Sequence, residues 1–470
     1  MPFPAGRGPS QVQIDFRRFG RGLVGNVSGQ SASFLAQLAV QLISVPVFTL
    51  SWGLERYGIW LILYTLPAYL ATLSLGFAGA AGNDMVAAVA QGRRDDAART
   101  YAAVRSGFTG LSLAAALIGA ALIFGPAARL LDFAQPYAHG QAQWAAMALV
   151  AYGLANLQMS NWALALRATD GFARFLYLAS ITAMVEMAIA LALVLAGGGL
   201  VMAAVGLAVG RCVGWLATGL MIRRHAPWLA QSGWAFSMGE ARRLARPALA
   251  MAMVPLGFAI QLQGTIMALG MAAGPAAVPV FTTVRTLARF AIQLTSVVNV
   301  ASMPVFTHAA AQDDTARKAD LVALNLTAAL VVLLPAAMAI ALAGPAVIRI
   351  WTGGAIIAPA ALVAVMAASL VFGGLWLVLA NLVLALNQHG RYSYAFVGLA
   401  CVSVGACAVL ARSMGALGAG ITAAGFDMAM LVMLVWQARR AGILAAGSFS
   451  TAPRRSWTLI ADRLPRLFRR

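Results

Sequence analysis

Acidic residues are scarce in this chain: 14 Asp and Glu stand against 33 Lys and Arg in 470 residues, and charged residues of both signs make up only 10%. Soluble domains carry about 25% charged residues, so a mainly water-exposed architecture is excluded. Cysteine is nearly absent, and Cys212, Cys401 and Cys407 each sit in an apolar stretch. They read as small buried residues and offer no disulfide framework. The four histidines are scattered without ligand spacing, so neither a metal nor another cofactor is expected. Sizeable polar loops are missing too. The longest loops on the predicted external side, near 125–141 and 344–358, hold little beyond Arg129, Asp132, His139 and Arg349. That set is too sparse to stage acid–base chemistry, and no enzymatic activity is expected.

What is present is apolar length. Hydrophobic residues make up 61% of the chain, in runs of about 20 or more residues, the length a helix needs to cross a hydrocarbon layer of roughly 30 Å. Twelve spans are predicted, at 23–50, 57–81, 102–124, 143–166, 175–196, 200–222, 247–272, 278–304, 320–343, 358–386, 392–411 and 416–438. The fold class is therefore an all-α polytopic membrane protein. The first run is too long, and too interrupted by Asn, Gln and Ser, to be a cleavable signal, so it is expected to remain as the first span.

The formal charge of +19 follows topology and does not call for a nucleic-acid partner. Arginines crowd the N-terminal segment 1–21, the loop with Arg93, Arg94, Arg99 and Arg105, the connector 223–246 and the tail 439–470, whereas Arg56, Arg129, Arg349 and Arg412 alone fall on the other side. The positive-inside rule places both termini in the cytoplasm. In the tail, Trp457, Ile460, Leu464 and Leu467 share a helical face amid arginines. This segment is either an interfacial helix on anionic inner-leaflet lipids or a disordered basic tail.

The chain also repeats itself at an offset near 220 residues. Asp95–Arg99 recurs as Asp313–Arg317, Asn161 with Leu164–Leu166 recurs as Asn381 with Leu384–Leu386, Gly199 and Gly206 recur as Gly418 and Gly425, and Gln41 recurs as Gln261. An offset of six spans keeps both halves in one orientation. Two parallel six-helix bundles with pseudo-two-fold symmetry are expected, at 22–222 and 247–438, joined by the cytoplasmic connector 223–246.

Charge inside the spans is the strongest functional signal. Thr282, Arg285, Arg289, Gln293 and Ser296 lie on one stripe of the eighth span, and Asn26, Gln30, Ser33, Gln37, Gln41 and Ser44 form a stripe on the first. A charge near the bilayer centre costs about 2.5–3.5 kcal/mol on insertion scales, so the arginines need partners. The carboxylates at plausible depth are Glu186, Asp427 and Asp84. Glu186 pairs either with Arg211 in the next span or with the arginines; Asp427 either neutralises one of them or leaves both for a ligand. Guanidinium forks match phosphate oxygens bidentately, which favours a phosphate-bearing ligand over other anions. Helix-to-helix hydrogen bonding is the alternative for both stripes.

The stretch "NVSGQSASFLAQLAVQLISVPVFTLSWGLERYGIWLILYTLPAYLATLSLGFAGAAGN", Asn26 to Asn83, resembles the opening of bacterial polysaccharide flippases of the O-antigen and exopolysaccharide type. The resemblance rests on Pro46, the turn Gly53-Leu54-Glu55-Arg56-Tyr57-Gly58-Ile59-Trp60, Tyr69-Leu70, Leu75-Gly76 and Asn83. Such proteins belong to the multidrug/oligosaccharidyl-lipid/polysaccharide exporter (MOP) superfamily. The resemblance implies two six-helix bundles in the bacterial inner membrane, with the first, second, seventh and eighth spans lining a central cavity. It further implies an undecaprenyl-pyrophosphate-linked oligosaccharide substrate, with a polysaccharide polymerase and chain-length machinery as candidate partners. Ser74 departs from the acid such flippases often carry before Leu-Gly. The expected binding residues are Arg285, Arg289, Gln293, Thr282, Gln30, Gln37, Gln41, Gln261 and Gln263, with Glu186, Arg211 and Asp427 as intramembrane charge or coupling candidates. A multidrug exporter of the same superfamily is the rival reading, although the first span lacks the carboxylate it would need. A major-facilitator transporter is disfavoured because "GNDMVAAVAQGRRDDAAR" lacks that family's loop pattern.

Overall fold

The computed structural model describes residues 16–126, 140–169, 171–235, 237–311, 315–385 and 390–440. The basic tail beyond Arg440, the first 15 residues, and Asp313 and Asp314 of the repeat lie outside them, as do the side chains of Asn26, Ser74 and Ser296.

Among the described residues the regular structure is helical. The first helical run, Phe16–Leu63, contains Gly53 at φ 74° and ψ 175°, a conformation that costs glycine little and an L-residue much. The chain doubles back there. The rings of Phe48 and Trp60 lie 5.4 Å apart, whereas a straight helix would separate residues twelve apart by about 18 Å. We call the part before Gly53 α1, and the part after it, continued through Tyr64 into Thr65–Ala90, α2. There follow α3 (Arg94–Ile123), α4 (Gln141–Ala168), α5 (Phe172–Leu195) and α6 (Leu200–His225). A single turn, Pro227–Ala230, lies in the connector.

The second set opens with α7, a rod in three pieces: Met238–Ala259, a π-helical turn at Ile260–Gly264, and Thr265–Ala273. Its start lies nine residues before the predicted 247. Ser237 explains the early entry, because its Oγ accepts from the Glu240 backbone N–H and caps the helix. Gly274, at φ 85°, then repeats the corner made by Gly53. Next come α8 (Ala277–Ala311), α9 (Thr315–Trp351), α10 (Ala360–Ala385), α11 (Gly390–Met414) and α12 (Ala416–Arg440).

The two sets pack alike. In lobe one α4 sits against α2, α3 and α6, while α5 bridges α1 and α6. In lobe two α10 sits against α8, α9 and α12, while α11 bridges α7 and α12. Nine segments among the described residues are long and apolar enough to cross a membrane, the first of them joining α1 and α2; α4 and α8, which carry polar side chains along their length, complete the two sets of six. Large apolar side chains such as Leu117, Leu342 and Ile350 are more than two-thirds exposed, as suits a surface solvated by lipid chains. The chain is a multi-pass membrane protein with two six-helix lobes.

The lobes meet chiefly along α2 and α7. Glycine makes this seam tight. A Cβ on Gly76 would come within 2.2 Å of the Ala248 carbonyl oxygen, and one on Gly58 within 1.9 Å of the Pro275 carbonyl oxygen. Both glycines belong to the stretch that carries the family resemblance. At the connector end of the seam, Arg243 of α7 makes a two-pronged contact with Asp84 of α2, at 3.0 and 2.8 Å. At the opposite end, the Trp351 indole N–H donates to the Leu42 carbonyl at 2.8 Å, tying α9 to α1.

Candidate functional site

The arginines that the sequence singled out lie inside lobe two. Arg285 and Arg289 stand eight and twelve residues beyond Ala277, the start of α8, about 12 and 18 Å below the end of the rod. They line a cavity of about 110 Å³ between α7, α8, α10 and α12. Its aromatic wall is Phe258 and Trp376, rings 6.0 Å apart, with Phe426 edge-on to Trp376 at 6.4 Å.

Each polar group on the wall has a distinct environment. Arg285 donates from Nη1 to the Leu262 carbonyl at 3.2 Å and stacks over the Phe281 ring at 5.1 Å. The π turn explains this bond: its wider i→i+5 ladder leaves a backbone carbonyl without its helical donor. Arg289 also faces the cavity and has no hydrogen bond or ion pair among the described residues. Asp427 accepts from the Ser369 hydroxyl at 2.5 Å and the Trp376 indole N–H at 2.9 Å, and it forms no ion pair among the described residues. Gln261, 7% exposed, lines the same cavity, and its Oε1 has no hydrogen-bond partner. Gln293 completes the polar wall.

Other predicted residues are elsewhere. Thr282 is buried and turns its hydroxyl back to the Val278 and Pro279 carbonyls at 2.8 and 3.3 Å, so the hydroxyl is already satisfied within its own helix. Gln263 is half-buried and does not line the cavity, because it follows Gln261 by two residues and two positions on a helix point to different faces. The glutamine stripe of α1 does not oppose the arginines. Gln37 and Gln41 are exposed, and Gln30 lines a separate, wide-mouthed cavity of about 750 Å³ with Asn83, Val86, Arg167 and Phe172. The same helix uses its smaller residues for packing: Ser33 hydrogen-bonds Ser180 of α5 at 2.8 Å, and Gly29 lies against Leu176.

In lobe one, Glu186 and Arg211 form an ion pair, with side chains 5% and 11% exposed. Arg211 also donates to the Tyr152 hydroxyl at 2.9 Å and to Asn156 Oδ1 at 3.0 Å. That guanidinium is sealed, whereas Arg289 is open to a cavity. The repeat therefore does not extend to the charges. At the repeat offset, α8's arginines correspond to residues 65–71 of α2 and Asp427 to residues 207–209 of α6, neither of which contains a charged residue.

Sequence reasoning missed Ser369, Trp376, Phe258 and Phe426. A tryptophan in mid-span is the one available signal, since its indole N–H needs an acceptor when buried.

These features define a class: a two-lobed, multi-pass helical membrane protein with charged groups on an internal cavity. No protein-family model matches the chain, and no curated protein matches it. Solved structures do. The lipid II flippase MurJ in an inward closed conformation aligns with TM-score 0.69 and 11% identity over 93% of each chain. An inward-facing multidrug-resistance MATE family transporter of the MOP superfamily aligns with TM-score 0.68 and 15% identity, covering 87% of this chain and 94% of that one. A MOP superfamily transporter from Pyrococcus furiosus Vc1 (DSM3638), whose binding pocket is described as reversed in polarity, gives 0.55 and 15% over 93% and 96%. The chain has the fold of MOP superfamily transporters.

Proposed function

We propose that the protein is a transporter that moves an undecaprenyl-pyrophosphate-linked oligosaccharide across the bacterial inner membrane by alternating access, for assembly of a surface polysaccharide. The observation that carries this reading is Arg289, a guanidinium in mid-span that lines the cavity, is exposed, and makes no hydrogen bond or ion pair among the described residues. A charge in that position is costly, and a bidentate phosphate ligand is the chemistry that best offsets it. Arg285, one turn away, adds a second donor set, and the fold shared with a lipid II flippase supports a lipid-linked substrate. The hydrocarbon tail stays in the bilayer while the head group passes between the lobes. The glutamines of α1, exposed and outside the arginine cavity, would serve sugar hydroxyls.

In cells that depend on this protein for surface polysaccharide, Arg289→Ala is expected to reduce export by at least about tenfold, the loss of one charge-assisted contact. Unchanged export at normal protein levels would exclude the pyrophosphate role. The second reading, a cation-coupled multidrug exporter of the same superfamily, is favoured by the carboxylate of Asp427, which forms no ion pair among the described residues. Gene deletion separates the two. Accumulated lipid-linked oligosaccharide supports the flippase; unchanged glycolipid with raised dye sensitivity supports the drug exporter.

A further inference from the structure

The lobe-two cavity has charge of both signs on its walls. Arg285 and Arg289 come from α8 and Asp427 from α12, all lining about 110 Å³, and no guanidinium among the described residues closes onto the carboxylate. Opposite charges in a poorly solvated site attract strongly, so two groups evolved only to neutralise each other would be expected in contact. Here Asp427 is instead anchored by two uncharged donors. Ser369 binds one carboxylate oxygen and Trp376 the other. An ionised carboxylate offers about four acceptor positions, so each oxygen retains acceptor capacity. The side-chain oxygen of Gln261, without a partner, adds a second acceptor among the buried lining groups.

Size narrows the ligand. Drug-sized ligands occupy about 300–1,000 Å³, whereas this cavity offers the room of roughly four waters. A cavity of that size suits a phosphoryl group with one short substituent better than a whole sugar or an aromatic drug. We infer that the cavity recognises a dipolar phosphate ester, with the phosphoryl group on Arg285 and Arg289 and a nitrogen donor, ammonium or amide N–H, on a neighbouring carbon, directed to Asp427. This rests on the anion-site reading above and adds the substrate class: selectivity lies in the first atoms around the phosphate, and the rest of the head group lies outside.

The test is a binding titration on the purified full-length protein in detergent, with phosphoethanolamine and ethyl phosphate as the probe pair. They share the phosphate and differ in the ammonium. The wild type is expected to bind phosphoethanolamine about tenfold or more tightly than ethyl phosphate, as suits one charge-assisted hydrogen bond. Arg289→Ala should weaken both probes alike, while Asp427→Asn should bring their ratio to about one. If Asp427 served only to balance the arginines, Asp427→Asn would tighten both probes equally and leave the ratio unchanged, which overturns the inference. A wild-type ratio near one overturns it too, as does failure of both phosphates to bind. Asn at 427 keeps the size of the side chain, and a thermal-shift control confirms that each variant is folded. Glucosamine 1-phosphate and glycerophosphoethanolamine then assign the source: preference for the first points to an amino-sugar phosphate head, for the second to a phospholipid head group. Export by Asp427→Asn cells tests the transport reading separately, since a collapsed ratio with normal export retains the site and rejects its role in export.

Discussion

Arg211 and Arg289 show two outcomes for a guanidinium at membrane depth. Arg211 is paired with Glu186 and further bound by Tyr152 and Asn156; removing one member of such a buried pair leaves the other uncompensated and typically costs 3–5 kcal/mol. Glu186→Ala is therefore expected to lower the stability of the protein in detergent by about 3–5 kcal/mol, read as a large drop in the midpoint of a thermal unfolding scan. Arg289 has no such partner among the described residues, so Arg289→Ala is expected to leave that midpoint unchanged or raise it while weakening anion binding. The opposite signs at two arginines of similar depth distinguish a structural charge from a ligand-binding one.

Among the elements, α6 and α7 show how local sequence sets the position of a charge. Gly206, Gly210 and Gly214 recur every four residues along α6 and turn one bare face to α5. A Cβ on Gly210 would lie 2.5 Å from Glu186 Cβ and 2.6 Å from its Cα. Gly210→Ala thus overpacks the seam and displaces Glu186 from Arg211; a loss of about 1–3 kcal/mol is expected, measurable in the same unfolding scan. In α7 the π turn directs Gln261 into the cavity and presents the Leu262 carbonyl to Arg285. Pro255 lies one turn before it. A proline inside a helix removes one backbone N–H from the ladder, and the irregular turn that follows is where the helix gains a binding surface.

For the whole molecule, the α2–α7 seam is the contact that the proposed change of access would have to loosen or pivot about. Its connector end carries the one ion pair between lobes among the described residues, Asp84 with Arg243. Asp84 and Glu240 on either side push Arg243 above its already high range, so the guanidinium stays charged. Any pH dependence of this contact then arises on the Asp84 carboxylate: the contact persists at neutral pH and weakens as acidification protonates that group. The side chains are 47% and 36% exposed, so the pair is worth about 1 kcal/mol or less. That is too little to affect folding but enough to shift a balance between two conformations by up to about fivefold. Arg243→Ala is expected to raise the accessibility of a cysteine introduced at the connector face of the seam by that order, with no change in unfolding midpoint. The charge-exchanged pair, Asp84→Arg with Arg243→Asp, should restore it; equal labelling rates in wild type and Arg243→Ala would show that the contact does not hold the seam.

Span number, two-fold organisation and the placement of Arg285 and Arg289 within a span were legible from residue order, because each depends on local quantities: apolar run length, a repeat offset, a charge in an apolar run. The corner at Gly53 was marked by the break between predicted spans, and a glycine is what such a backbone requires. Which polar residues meet was not legible. Helical periodicity grouped Thr282 with the arginines and set the glutamines of α1 against them, yet Thr282 bonds within its own helix and Gln37 and Gln41 are exposed. Periodicity fixes a residue's face on its own helix but not what that face meets. Only the packing of α7, α8, α10 and α12 brought Asp427, Ser369, Trp376 and Gln261 from distant parts of the chain to one cavity, because that convergence is a property of inter-helix contacts that no single helix encodes.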